Sequence, residues 1–103
     1  MTIETSHVIS GKHPSLPHHF PGDPIVPGVV ILSEVARLIG EHRPGVWVSG
    51  IRRVKFTAPL RPDQNFTVKV SFPEPETAHF ECSSDESMLT QGQFLLTATE
   101  GAA

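Results

Sequence analysis

"PGVVILSEVARLIG", residues 27–40, decides the fold. A proline opens the run and a glycine closes it, which is the usual punctuation of a helix. Between them Val29, Val30, Ile31, Leu32, Val35, Ala36, Leu38 and Ile39 spread around nearly the whole circumference. A helix that is apolar nearly all round is normally buried. The expectation is therefore one helix from Gly28 to about Gly40 that the rest of the chain must cover. Glu34, Arg37 and Glu41, spaced at i, i+3 and i+7, read as an ordinary polar stripe along it.

Toward the C-terminus the period changes from helical to two. Phe66, Val68, Val70 and Phe72 alternate with Thr67, Lys69 and Ser71, and Ala78, Phe80 and Cys82 alternate with His79, Glu81 and Ser83. These are half-buried strands. Val46, Val48, Ile51, Val54, Phe56 and Ala58 give a longer strand whose phase slips at Arg52-Arg53, which predicts a bulge. Met88 to Ala98 supplies the last strand after the turn cluster SSDES.

Toward the N-terminus, residues 1–10 alternate weakly around Ile3, Val8 and Ile9 and suit a first strand. Residues 11–27 carry Pro14, Pro17, Pro21, Pro24 and Pro27. Each proline fixes its own φ and biases its predecessor toward extended backbone, so this connection is stiff. The sum is a single α+β domain over residues 1–103: an antiparallel sheet that buries one helix. So small a sheet is expected to pair with a second subunit.

With 103 residues, 38% hydrophobic and 18% charged, and a formal net charge of −3, the chain has an ordinary globular composition. The negative balance argues against duplex nucleic acid as a partner. Cys82 is the single cysteine, so no intrachain disulfide and no cysteine-rich metal site can form. Residues 1–10 show neither a basic region nor an apolar one of signal-peptide type, and no apolar run approaches the ~20 residues of a membrane span. No membrane association is expected, and the chain reads as cytoplasmic.

The motif "HFPGDPIVPGVVIL", residues 19–32, resembles the signature of the 3-hydroxyacyl-carrier-protein dehydratases. The similarity continues through "GIRRVKFTAPLRPDQNF" and "QGQFLLTA", covering about residues 7–98. The resemblance implies a hot-dog fold, in which a sheet wraps one central helix, assembled as a homodimer or higher homo-oligomer with active sites at the subunit interface. It implies removal of water from a (3R)-3-hydroxyacyl thioester on an acyl carrier protein, giving the trans-2-enoyl thioester, with no metal or organic cofactor.

That resemblance assigns the catalytic acid/base to His19. An imidazole that titrates near pH 6.5 independently suits abstraction of a C2 proton beside a thioester. It places the donor to the thioester carbonyl at the backbone N–H of Gly28. Helix physics agrees, because first-turn amides lack intrahelical partners and sit at the positive end of the dipole. Phe20, Val26, Pro27, Val29 and Phe56 are candidates for the substrate wall.

The family's second catalytic group is an Asp or Glu fourteen residues after the histidine, and here that position holds Ser33. A hydroxyl can hold a water or bond the substrate, but it is no acid of comparable strength. Glu34 is the alternative acid, although one residue along a helix turns a side chain by about 100°. Three outcomes stay open: dehydration with an unusual acid, another hot-dog reaction such as thioester hydrolysis, or binding of acyl chains or carrier proteins without turnover.

Other constellations fit less well. His7, His13, His18, His19 and Asp23 are close in sequence, but adjacent histidines in extended backbone face opposite ways, so no metal site is expected. Ser33 lies within the helix and lacks the turn that exposes a nucleophilic serine. The two P-x-x-P runs run directly into an apolar helix, which argues against a peptide-docking segment. Arg37, Arg43, Arg52, Arg53 and Lys55 form a candidate basic docking patch for an acidic carrier protein.

Overall fold

The computed structural model describes residues 2–9, 25–85 and 87–98. In chain order the elements are β1 (Thr2–Val8), α1 (Gly28–His42), β2 (Val46–Phe56), β3 (Asn65–Glu74), β4 (Thr77–Ser84) and β5 (Ser87–Ala98). All five strands form one antiparallel sheet in the order β1-β3-β4-β5-β2. The helix rests on one face of it against β2 and β3.

Strand registers explain the core. Ile3, Val70, Phe80, Gly92 and Val54 face one another in turn across all five strands. Phe80 fills the space that a side chain at Gly92 would take: a Cβ there would lie 2.8 Å from Phe80 Cζ and 2.3 Å from the backbone oxygen of Arg53. Against this face the helix buries Val30, Ile31, Val35, Leu38 and Ile39. The opposite face carries Glu4, Lys69, Glu81, Gln91 and Lys55 as a polar row across the same strands.

The helix runs two residues past Gly40 and ends at His42. Its stop lies further on: Pro44 disfavours helical backbone at Arg43, which adopts φ −131° and ψ 77°, and Gly45 supplies a positive φ of 86°. In β2 the register slips twice, between Val48 and Gly50 and between Ile51 and Arg53. The strand closes at Phe56, after which the amides of Thr57 and Ala58 both donate to Leu89 O, at 2.8 and 3.2 Å.

One sequence expectation needs correcting. The helix is not covered all round: Val29 is 68% exposed, and Ser33, Arg37 and Glu41 are exposed too. The described strands cover one side of the helix, and Val29 and Ser33 lie exposed on the other flank. On the neighbouring edge strand β2, Ile51 and Phe56 are more than half exposed as well.

Candidate active site

The amino end of α1 opens a cleft of about 540 Å³. Its walls are Ile25, Val26 and Pro27 before the helix, Gly28, Val29 and Ile31 in the first turn, and Phe56 to Leu60 at and beyond the end of β2. Val26 N–H donates to Leu60 O at 2.8 Å, so the two walls are tied by backbone. Val26, Ile31 and Leu60 are buried and make an aliphatic floor, while Val29 and Phe56 form an exposed rim.

Helix geometry gives this cleft a polar end. Pro27 caps the helix with φ −59° and ψ 143° and offers no side-chain hydrogen bond to the first turn. Its carbonyl accepts from Val30 N–H at 3.0 Å. First-turn amides have no intrahelical acceptor and lie at the positive end of the helix dipole, so this end of the cleft favours an oxygen that gains negative charge. Phe56 packs directly on Gly28: a Cβ at residue 28 would lie 2.6 Å from the ring's Cζ. The glycine here makes room for an aromatic ring.

Among the described residues, none that lines the cleft is titratable. Ser33 is exposed and does not line it; five residues from Gly28, it is turned roughly 140° around the helix. Glu34 lies on the flank facing β1, where Arg37 Nη2 donates to its Oε2 at 2.9 Å and His7 Nδ1 approaches the same oxygen at 3.6 Å. Thr5 Oγ1 and His7 Nε2 are hydrogen-bonded at 2.5 Å, and the imidazole lies against Phe66 with ring centroids 5.7 Å apart. The bond to Glu34, then the charges of Glu34 and Glu41, raise the Arg37 pKa above its ordinary value.

Of the residues singled out from sequence, Val26, Pro27, Gly28, Val29 and Phe56 come together around this cleft. His18, His19, Phe20 and Asp23 lie outside the described residues. Sequence reasoning missed Ile25 and the Thr57–Leu60 wall; the apolar pair Pro59-Leu60 just beyond a strand was the available signal. It also missed the pairing of His7 with Glu34, two residues far apart in sequence.

Two residues of the expected basic patch have partners of their own. Arg37 is engaged by Glu34 and Glu41, and Arg43 donates to Pro75 O at 3.2 Å with its guanidinium 5.1 Å from the Phe72 ring centroid. Arg53 and Lys55 share a hollow of the outer sheet face with His79, Glu81, Gln91 and Gln93. Among the described residues there is no group of three or more His, Cys, Asp or Glu placed to hold a metal, and no helix long and apolar enough to cross a membrane.

One helix laid on an antiparallel sheet, with an apolar cleft at its amino end, is the hot-dog architecture. The (R)-hydratase of A. caviae involved in PHA biosynthesis shares it, with a TM-score of 0.73 at 16% identity over 95% of this chain and 94% of that one. So does the dehydratase heterocomplex ApeI:P from Xenorhabdus doucetiae, with a TM-score of 0.83 at 26% identity over 92% and 86%. The hot-dog dehydratases are thus the class that fold and sequence motif together define.

Residues 1–93 match the ApeI-like dehydratase family, and the chain belongs to it. A 3-hydroxyacyl-(acyl-carrier-protein) dehydratase FabZ of Syntrophobacter fumaroxidans is 29% identical over 105 aligned residues, which cover 89% of this chain and 70% of that protein. The corresponding protein of Klebsiella pneumoniae is 32% identical over 74 residues, 62% of this chain, and the match spans about half of that relative (49%).

Proposed function

We propose that the chain is a subunit of a dehydratase that removes water from a 3-hydroxyacyl thioester carried on an acyl carrier protein, giving the trans-2-enoyl thioester. The observation that carries this reading is the apolar cleft opening on the amino end of α1 in a member of a dehydratase family. The apolar side chains that line the cleft suit an acyl chain, and first-turn amides suit its thioester carbonyl.

In this reaction His19 takes the proton from C2, the electrons form the C2–C3 double bond, and the C3 hydroxyl leaves as water with a proton relayed from the imidazolium through a water, which returns His19 to its neutral form. Gly28 N–H stabilises the enolate-like oxygen of the thioester. Phe20, Val26, Pro27, Val29 and Phe56 hold the chain. The chemistry needs no metal and no organic cofactor, because proton transfer and one oriented donor supply it. A carrier-bound substrate supports a cytoplasmic location.

Assembly completes the fold. β2 is an eleven-residue edge strand whose outer side has no strand partner among the described residues, beside exposed Ile51, Phe56 and Val29. Such an edge needs covering, and a second hot-dog chain adding its own β2 covers it.

The test is conversion of a 3-hydroxyoctanoyl-carrier protein, read as loss of one water by mass spectrometry of the intact carrier. The Ser33→Asp variant is expected to catalyse it, and combining that change with His19→Ala is expected to abolish it. A folded Ser33→Asp variant that leaves the carrier mass unchanged would overturn the assignment.

A further inference from the structure

We propose that Thr5, His7 and Glu34 form a second catalytic centre, separate from the cleft, in which Thr5 is the nucleophile for hydrolysis of an acyl ester or thioester. The proposal does not depend on the dehydratase reading and uses none of the groups that line the cleft.

Strand geometry puts the first two groups together. Thr5 and His7 are two apart on β1, so their side chains share a face. It is the face of buried Ile3, and the pairing with β3 sets Thr5 opposite Val68 and His7 opposite Phe66, both buried. Apolar side chains are expected at such positions, and a hydroxyl and an imidazole there break the pattern of the strand. Breaks of this kind gather at functional sites, where stability is given up for chemistry.

The three groups stand in working order. Thr5 Oγ1 and His7 Nε2 are hydrogen-bonded at 2.5 Å, and across the ring Nδ1 lies 3.6 Å from Glu34 Oε2. A hydroxyl on a base that is itself oriented by a third group is the arrangement that activates a nucleophile. The carboxylate holds the ring proton on Nδ1 and leaves the Nε2 lone pair to accept from the hydroxyl. At 3.6 Å the Nδ1 contact is longer than a hydrogen bond, and contacts of this kind in unliganded sites tighten when substrate binds. The parts are held in place: the imidazole is 12% exposed and packs on Phe66, and Arg37 Nη2 donates to the same Glu34 oxygen at 2.9 Å. Thr5 is half-buried, so an ester carbonyl can approach it. β1 is an edge strand, and the alternate N–H groups on its outer side, without a strand partner among the described residues, are donors for the oxyanion.

In the reaction Thr5 Oγ1 bonds to the acyl carbon and its proton passes to Nε2. The bond from that carbon to the leaving sulfur or oxygen breaks, and the thiol or alcohol departs with the proton. Water, deprotonated by Nε2, attacks the acyl-threonine, releases the carboxylic acid and restores Thr5. The sum is ester plus water giving acid plus alcohol or thiol, with no further reactant.

The experiment gives the full chain p-nitrophenyl acetate and, separately, S-acetyl-N-acetylcysteamine, and follows release of acetate. Wild type is compared with Thr5→Val, which keeps the shape of the side chain, and with Thr5→Ser, His7→Gln and Glu34→Gln, each checked for folding by thermal melting. Wild type is expected to turn over at least one probe, and the one it takes fixes the class as ester or thioester. Thr5→Val and His7→Gln should lose about 10²-fold or more, while Thr5→Ser stays within a few-fold, a rescue that a merely structural threonine does not predict. Peptide mapping after brief exposure should find the acetyl group on Thr5, a result that depends on no variant. Equal rates in wild type and folded Thr5→Val would overturn the proposal. So would acetylation confined to lysines or other histidines, or a wild type no faster than buffer with both probes.

Discussion

The ring of Phe56 stands where a side chain at residue 28 would begin, with Cζ and Cε1 at 2.6 and 2.7 Å from that Cβ position. The ring's own side chain is half exposed and only its far end makes the contact, so it can swing aside. We predict that Gly28→Ala costs less than about 1 kcal/mol in stability, a smaller penalty than overpacking a closed core incurs. Thermal melting reads this, and a loss above that size would mean that Phe56 is fixed in place.

Gly92 makes the opposite case. A Cβ there meets the backbone oxygen of Arg53 at 2.3 Å and the ring of Phe80, which is 1% exposed and has nowhere to go. Gly92→Ala should cost about 3 kcal/mol or more and lower the melting temperature by more than roughly 10 °C. A variant melting within two or three degrees of wild type would contradict the packing of Phe80 across β5.

Ile51 lies on β2 beside the open flank and is 57% exposed in the single chain. Ile51→Lys should leave the chain folded and separate the assembled pair, read as a halved mass by light scattering. An unchanged mass would place the interface elsewhere.

Glu34 is tied to Arg37 and faces His7 on the flank away from the cleft. Glu34→Gln in the Ser33→Asp background should change the dehydration rate by no more than a few-fold. Its effect on stability should be small, because the guanidinium it loses is exposed to solvent. A rate loss near 10²-fold would make Glu34 the acid after all.

Burial pushes the Cys82 thiol up to about 12 from its ordinary 9.0. Below pH 9 both folded and unfolded states keep the proton, and the thiol does not alter the balance. As pH rises from about 9 toward 12 only the unfolded state releases it, so stability falls, by up to about 1.4 kcal/mol per pH unit. Denaturant melts of wild type and Cys82→Ala across this range should show the steeper decline in wild type, and parallel declines would place the thiol in contact with water.

Much of this was legible in the residues. Alternation at Phe66–Phe72 and Ala78–Ser83 fixed which faces of β3 and β4 are buried, and the phase slip at Arg52-Arg53 located a bulge in β2. The end of α1 was misread because Gly40 looks like a stop, whereas the proline and glycine at 44 and 45 terminate the helix through backbone geometry. The open flank was misread because apolarity at Val29 shows that a surface wants covering and does not say which chain covers it. The motif brought Val26, Gly28 and Phe56 to one place, while the His7–Glu34 pairing depends on the packing of β1 beside the helix, which no local spacing encodes.

The strand order also sets a timetable for synthesis. β3, β4 and β5 pair with strands already made, but β2 is made early and waits: Val46 for Ala98 and Phe56 for Thr90. At ribosomal speeds of about 5–20 residues per second this interval lasts roughly 2–10 seconds. Throughout it Val46, Val48, Ile51, Val54 and Phe56 have no ladder, and they are the segment a chaperone would find on the nascent chain. The edge strand that carries exposed Ile51 and Phe56 is thus also the last part of the sheet to be secured.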